Sequence, residues 1–223
     1  MTRPALLLLA ACVAGCSSLG DPGVPVAIEV LTPAAAIVEL GDTLTLHARV
    51  LDQAGDSIAA TIRWRTPDTT VAVDSVTGRF TGVFTGLGRV QAVSGSLVGP
   101  LTTFTVRPRV DTLIVTTDSL LVLTSDTASA PLDPKLADSL GTGMSGRKMV
   151  ITLVAPSPAG ARLSGGVTSD TATTGSDGLP SPAVRVRKVG VASGDSVIVQ
   201  VSASRASGTP VPGSGRTIRV FFQ

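Results

Sequence analysis

The sequence predicts an all-β protein: two small β-sandwiches in tandem behind an N-terminal export segment. Three observations carry this. Residue usage is that of strands and turns, apolar residues recur at every second position over much of the chain, and residues 1–16 (MTRPALLLLAACVAGC) form a short apolar run behind a single positive charge.

Composition comes first. Among 223 residues, Gly occurs 24 times and Pro 15 times, Tyr is absent and aromatics make up 3%. Long helices are built from Ala, Leu, Glu and Lys, yet Glu occurs only at 29 and 39 and Lys only at 135, 148 and 188. Val, Thr and Ser take their place, which favours strands and turns. Charged residues are 15%, against roughly 25% in an average soluble domain. Disorder is excluded by 43% hydrophobic residues and a formal net charge of only +2, because disordered chains combine low hydrophobicity with high charge. The arginines are scattered, so the chain lacks the dense basic face and stacking aromatics that nucleic-acid binding needs.

The N-terminus sets the compartment. Arg3 is the positive flank, and Ala5–Ala14 is an unbroken apolar run of ten residues. A bilayer span needs about 20 apolar residues; ten suit the central part of a secretory signal, expected as a helix over 4–15. The run ends in Val13-Ala14-Gly15-Cys16. This resembles the lipobox of bacterial lipoproteins: an aliphatic residue, two small residues and a cysteine, with Val13 standing where Leu is commoner. The resemblance implies that the Cys16 thiol is alkylated by diacylglycerol and that cleavage falls between Gly15 and Cys16. Cys16 then becomes the acylated first residue, and Cys12 is removed with the signal. Ser17, where an inner-membrane retention signal would carry Asp, implies the outer membrane. Two or three acyl chains, at about 0.8 kcal/mol per buried CH₂, anchor far more firmly than one. With no second thiol left, no disulfide forms and the domains must hold by packing alone.

The mature chain divides by pattern. Residues 16–25 are small, polar and rich in Pro and Gly, which reads as a tether. From 26 to 107, short alternating runs are separated by Gly, Pro and Asp. Val26, Ile28 and Val30 face one way; Leu44, Leu46, Ala48 and Val50 alternate with Thr43, Thr45, His47 and Arg49; Ile62 and Trp64 point in while Arg63 and Arg65 point out. Further runs at Thr70–Val73, Arg79–Gly82, Gly88–Ser94 and Leu101–Val106 bring the total to about seven strands in about 80 residues, the spacing of an immunoglobulin-like sandwich. The segments VAIEVLTPAAAIVELGDTLTLHARVLDQAGDSI, IRWRTPDTTVAVDSVTGRFTG and GLGRVQAVSG resemble the group 2 bacterial immunoglobulin-like domains, in order and over all of 26–106.

Residues 108–223 are expected to form a second sandwich. Residues 124–147 read as a long loop, with a helical turn around Lys135–Leu140. Lys148–Val154 reads as a central strand buried on both faces. Val184 and Val186, then Val197, Val199, Val201 and Ala203, alternate with polar or outward residues, and Thr217–Phe222 closes the chain. With Thr174 and Gly178 at a Thr-x-x-x-Gly turn, this half resembles the invasin/intimin-type (group 1) bacterial immunoglobulin-like domains.

Candidate chemistry is sparse. His47 is the single histidine, outward on a strand between Thr45 and Arg49, and Arg49 disfavours a bound cation; a catalytic triad or metal site needs partners beside it. The acids Asp52, Asp56, Asp68, Asp74, Asp170, Asp177 and Asp195 sit beside turn residues, where Asp bonds its own backbone. The stretch Ser169–Gly178 lacks the ligand density of a dedicated calcium loop. Trp64 shares the phase of Ile62, so it is expected in the core rather than stacking on a glycan. Arg63, Arg65 and Arg89, with Arg107 as a fourth, share the outer face of one sheet by strand phase: a candidate surface for an anionic ligand, or a means of keeping the strands soluble. A cleft joining Asp133, Asp138 and Asp177 is the arrangement that would make an enzyme. The expectation is otherwise: a non-enzymatic, cofactor-free envelope lipoprotein, held to the membrane by its lipid. Its modules act as spacers or bind a surface protein or polysaccharide. The alternative is an accessory subunit of an envelope or secretion complex, docking through a sheet edge or the 124–147 loop.

Overall fold

The computed structural model describes residues 23–33, 35–154 and 160–223. The expected signal helix, Gly15, Cys16 and most of the tether lie outside the described residues. Within them every regular element is a β-strand. In chain order these are β1 (Ala27–Leu31), β2 (Ile37–Glu39), β3 (Thr43–Thr45), β4 (His47–Leu51), β5 (Ser57–Ile58), β6 (Arg63–Arg65), β7 (Val71–Val73), β8 (Arg79–Gly82), β9 (Gly86–Ser94), β10 (Leu97–Val98) and β11 (Thr102–Arg107). There follow β12 (Thr112–Ile114), β13 (Ser119–Val122), β14 (Lys135–Ala137), β15 (Lys148–Val154), β16 (Ala161–Leu163), β17 (Ser169–Thr173), β18 (Val186–Lys188), β19 (Ser196–Ser202) and β20 (Arg216–Phe222). The described residues form two compact units: those up to Ala36 with Thr43–Thr105, and those of Ile37–Asp42 with Val106–Gln223.

In the first unit, β1 pairs antiparallel with β4, Ala27 opposite Leu51 and Leu31 opposite His47. β3 pairs with β8, and β8 with β7. Only Leu46 separates β3 from β4; its N–H turns to the Gly78 carbonyl, so one long strand serves both ladders. The second sheet is centred on β9, flanked by β6 on one side and by β10 and β11 on the other. Strand orders β1-β4/β3-β8-β7 and β6-β9-β11 are those of an immunoglobulin-type sandwich. The period-two pattern explains which side is buried. Ile28, Val50, Val71 and Phe80 from one sheet and Trp64, Val90, Ala92 and Phe104 from the other are all buried. Phe80 and Phe104 meet between the sheets, with centroids 4.6 Å apart and planes at 41°, a tilted pairing that adds about 1 kcal/mol to the burial of the rings.

The second unit has a five-stranded sheet in the order β13-β20-β19-β15-β17, with β13 parallel to β20 and the other pairs antiparallel. Against its inner face lie the pairs β12–β14 and β16–β18; Leu113, Leu136, Leu163 and Val186 join Met149, Ile151, Val199, Ile218 and Phe222 in one buried cluster. Three sequence expectations change here. Lys148–Val154 is central, pairing with β17 and β19, but only one of its faces is buried: Val150 is 39% exposed, because the covering strands lie on one side of an antiparallel sheet. The helical turn expected at Lys135–Leu140 is strand β14 followed by a tight turn. Finally, residues 128–132 within the 124–147 stretch run beside β18. Ser129 N–H bonds the Val186 carbonyl and Leu132 N–H that of Val184, with Ser129 and Leu132 both buried. Pro131 and Pro134 cannot donate to a ladder, so the pairing is broken into single bonds and the alternation that marks a strand is lost.

One turn recurs. Asp52 N–H bonds the Asp56 carbonyl and Gly55 N–H bonds that of Asp52, while the Asp52 carboxylate accepts the N–H of Ala54 and of Asp56, each at 2.9 Å. The same four bonds occur around Asp138, with Thr142 and Gly141 in the backbone roles and Leu140 N–H and Thr142 N–H on the carboxylate. Gly55 and Gly141 take φ of 86° and 81°, a left-handed conformation that a side chain would oppose. Asp74 caps a related turn through Val76 N–H, Thr77 N–H and the Thr77 hydroxyl. The hydrogen bond from Asp56 N–H chiefly holds the Asp52 carboxyl below its ordinary range, and that from Thr77 N–H does the same for Asp74.

The second unit also contains a buried ion pair. Glu39 is 2% exposed. It accepts Val110 N–H at 3.0 Å and Ala206 N–H at 3.4 Å, and its Oε1 lies 3.6 Å from Arg147 Nη1. Arg147 also donates to the Pro108 carbonyl. Burial pulls its guanidinium below the ordinary value, opposed by the attraction of Glu39.

Three outcomes follow. Glu39→Gln should destabilise the second unit by about 3 kcal/mol in chemical denaturation, because it strips the counter-charge from a buried arginine; Glu29→Gln, at the exposed Glu29–Arg49 pair, should cost no more than about 1 kcal/mol. Gly78→Ala should lower the thermal midpoint of the first unit, by about 2 kcal/mol or more in stability: φ is +69°, and a Cβ would lie 2.7 Å from both the Leu46 carbonyl and Trp64 Nε1. Acid melts should show the third. Because the folded Asp52 and Asp74 carboxyls have lowered pKa values, their contribution is complete above the unfolded value near about 4 and is lost as pH falls through that range toward the folded values. Melting temperatures of Asp74→Asn should therefore converge on wild type at low pH and separate from it near neutrality.

Candidate functional site

The outward face of the β6–β9 sheet is the surface the sequence nominated. Strand register places Arg63 opposite Val93 and Arg65 opposite Gln91, and Arg63, Arg65 and Arg89 are all exposed on one side of the sheet. The three therefore do share a face, and Arg107, exposed at the end of β11 in the same sheet, lies in the same outward phase. Their charges are not equally available. Arg89 forms a two-pronged pair with Asp68, Nε to Oδ2 at 2.9 Å and Nη2 to Oδ1 at 2.8 Å. Asp68 thereby sits below the usual carboxylate range and Arg89 above its own ordinary value, each mainly through that hydrogen bond. Arg65 donates twice to the Gln91 side-chain oxygen, whose amide nitrogen is held by the Gly99 carbonyl. Arg63 has no hydrogen-bond or ion-pair partner among the described residues. A shallow depression beside these groups is lined by Arg65, Thr66, Pro67, Gln91 and Leu101. It offers a guanidinium, an amide and an apolar shelf, which suits reversible contact with a polar or anionic group.

The acids are occupied elsewhere. Asp138 and Asp177 bond their own turns, Asp177 through Leu179 N–H. Asp133 accepts both the Thr116 and Thr117 hydroxyls, and its other oxygen is buried without a partner. The structure thus ties Asp133, Asp138 and Asp177 to separate local partners. Among the described residues no three His, Cys, Asp or Glu side chains cluster where they would hold a metal ion. Ser169–Gly178, the stretch weighed for calcium, is strand β17 followed by a turn, with Asp170 opposite Ile151 in the ladder. His47 lies opposite Leu31 with its side chain exposed. Trp64 is 5% exposed and belongs to the core.

Sequence reading missed two features. The Asp-x-x-Gly turn of the second half is present, at Asp138–Gly141, inside the stretch read as loop; its spacing, matching Asp52–Gly55, was the available signal. Glu39 was not singled out, because its partner Arg147 lies far along the chain and no local pattern connects them.

No family model matches the sequence, and no curated protein matches it. Among solved structures, the chain is similar to the adhesin InvE of Yersinia pseudotuberculosis, at 17% identity and a TM-score of 0.41, over 85% of this chain and 57% of that one. It is also similar to domains 4 and 5 of the S-layer protein SbsC (16% identity, TM-score 0.34, 89% of this chain and 98% of that). A third similarity is to the fibronectin(III)-like modules of Clostridium thermocellum CbhA (16%, 0.41, 88% and 94%). The immunoglobulin-type assignment rests on the strand order and the core between the sheets.

Proposed function

We propose that this chain is a non-catalytic lipoprotein of the bacterial envelope, anchored through Cys16. In this reading its β-sandwiches act as a spacer or binding module for a protein or polysaccharide at the cell surface. The observation that carries the reading is the run Ala5–Ala14 closed by Val13-Ala14-Gly15-Cys16, immediately ahead of a chain built of strands. Further support comes from the acids and the histidine: Asp52, Asp74, Asp138 and Asp177 serve their own turns, and His47 stands apart on an exposed strand. The outer face bearing Arg63 and Arg65 is the favoured contact surface of the first unit. The residue after the lipidated cysteine, Ser17, favours the outer membrane.

A second reading, an accessory subunit of an envelope or secretion complex, draws on the apolar side chains at the edge of the second unit's sheet, where Leu121 and Leu123 are each 48% exposed. The two readings share the anchor and differ in the contact face.

Intact mass and detergent phase partitioning of protein from native membranes test the anchor. Wild type should partition into detergent and begin at Cys16 with added acyl mass, and Cys16→Ala should lose both. A wild-type protein found in the aqueous phase and cleaved elsewhere would rule the anchor out.

A further inference from the structure

The five-stranded sheet of the second unit ends on β13. Its parallel ladder has a definite phase: Arg219 N–H bonds the Asp118 carbonyl and Gln223 N–H bonds that of Val122. Backbone groups of the even-numbered residues therefore face β20, and those of Ser119, Leu121 and Leu123 face away. Among the described residues the outward N–H groups have no partner; one outward carbonyl, that of Leu123, is taken by Asp126 N–H. Free edges are ordinarily guarded by charge: β1 carries Glu29, β6 carries Arg63 and Arg65, and β17, the opposite edge of the same sheet, carries Asp170. From Ser119 to Ser125 there is no charged residue at all. The exposed side of the same edge is apolar: Leu121 stands in register with Phe221, these two being 48% and 41% exposed, and Leu123 follows at 48%.

We infer that β13 is a docking edge for β13 of a second copy of this chain, paired antiparallel about a two-fold axis at Leu121. The edge is complementary to itself. Antiparallel pairing on that axis sets Leu121 opposite Leu121 and Ser119 opposite Leu123, so outward backbone groups meet outward backbone groups. The flanking acids avoid one another, Asp118 falling opposite Thr124 and Asp126 opposite Thr116. The exposed Leu121–Phe221 row of one copy continues into that of the other, as a self-complementary two-fold interface requires. This goes beyond the anchoring proposal and does not depend on it.

The test uses the full chain carrying Cys16→Ala in detergent, so that no acyl chain contributes. Sedimentation should show the mass rising from one copy to two between about 1 µM and about 100 µM, the affinity range of a small interface. Over the same range amide exchange in residues 119–123 should slow about tenfold. Leu121→Lys should stay monomeric with fast exchange, and Leu140→Lys, at an exposed turn, should dimerise like its parent. Leu121→Pro removes one outward N–H and leaves the ladder to β20 intact, so it should also stay monomeric if Leu121→Lys fails to fold. A single-copy mass throughout, a dimer whose 119–123 exchange is unchanged, or a dimer that survives both Leu121 substitutions would overturn the inference.

Discussion

Two β-sheets stay face to face only while the side chains between them exclude water, and here that packing acts without a covalent bridge. No cysteine occurs among the described residues. In the first unit Phe80 meets Phe104 between the sheets, and the Trp64 indole is seated against Gly78. In the second, small β-branched residues such as Val197, Val199 and Val201 lie fully buried in a row along β19. Such cores are intolerant of lost volume, since a cavity between sheets closes poorly. The rest of the architecture follows from the need to keep those faces opposed.

Keeping them opposed requires strands to reverse direction at fixed places. The Asp-x-x-Gly turn does this by binding two backbone N–H groups with a single carboxylate, so the reversal needs no support from the core. Its use at both Asp52 and Asp138 gives the two units a common local grammar despite their different sheets. It also accounts for the chemistry of the surface. A carboxylate committed to its own backbone has little capacity left for a metal ion or a substrate, and the same holds for the Asp68–Arg89 pair, which removes one of the three arginines from the basic face.

How much of this was legible in the sequence depended on the range of the interaction. Period two located the strands of the first unit, because the pattern is written in adjacent residues: Leu44 on β3, Leu46 at the junction and Val50 on β4, or Val90 and Ala92 on β9. Trp64 was placed correctly for the same reason. The second unit was harder. Prolines 131 and 134 interrupt the alternation, so a segment bonded to β18 read as loop, and a three-residue strand at Lys135–Ala137 carries too little pattern to separate it from a helical turn. The Arg63, Arg65 and Arg89 face followed from strand phase; its neutralisation by Asp68 did not, since that depends on where a loop folds back. Glu39 and Arg147 were beyond any local reading.

The place of residues 37–42 in the second unit has a consequence for how the protein is made. Glu39 bonds to positions 71 and 167 residues later in the chain, and the Asp42 carboxylate accepts the Ser207 hydroxyl, 165 residues on. As the chain grows from its N-terminus this segment meets its partners in turn, Val110 first, then Arg147, and Ala206 and Ser207 last. Contacts of such long sequence separation are slow to form. The second unit cannot enclose Glu39 fully until residues 206 and 207 are in place, so its closure is set by its longest-range contacts.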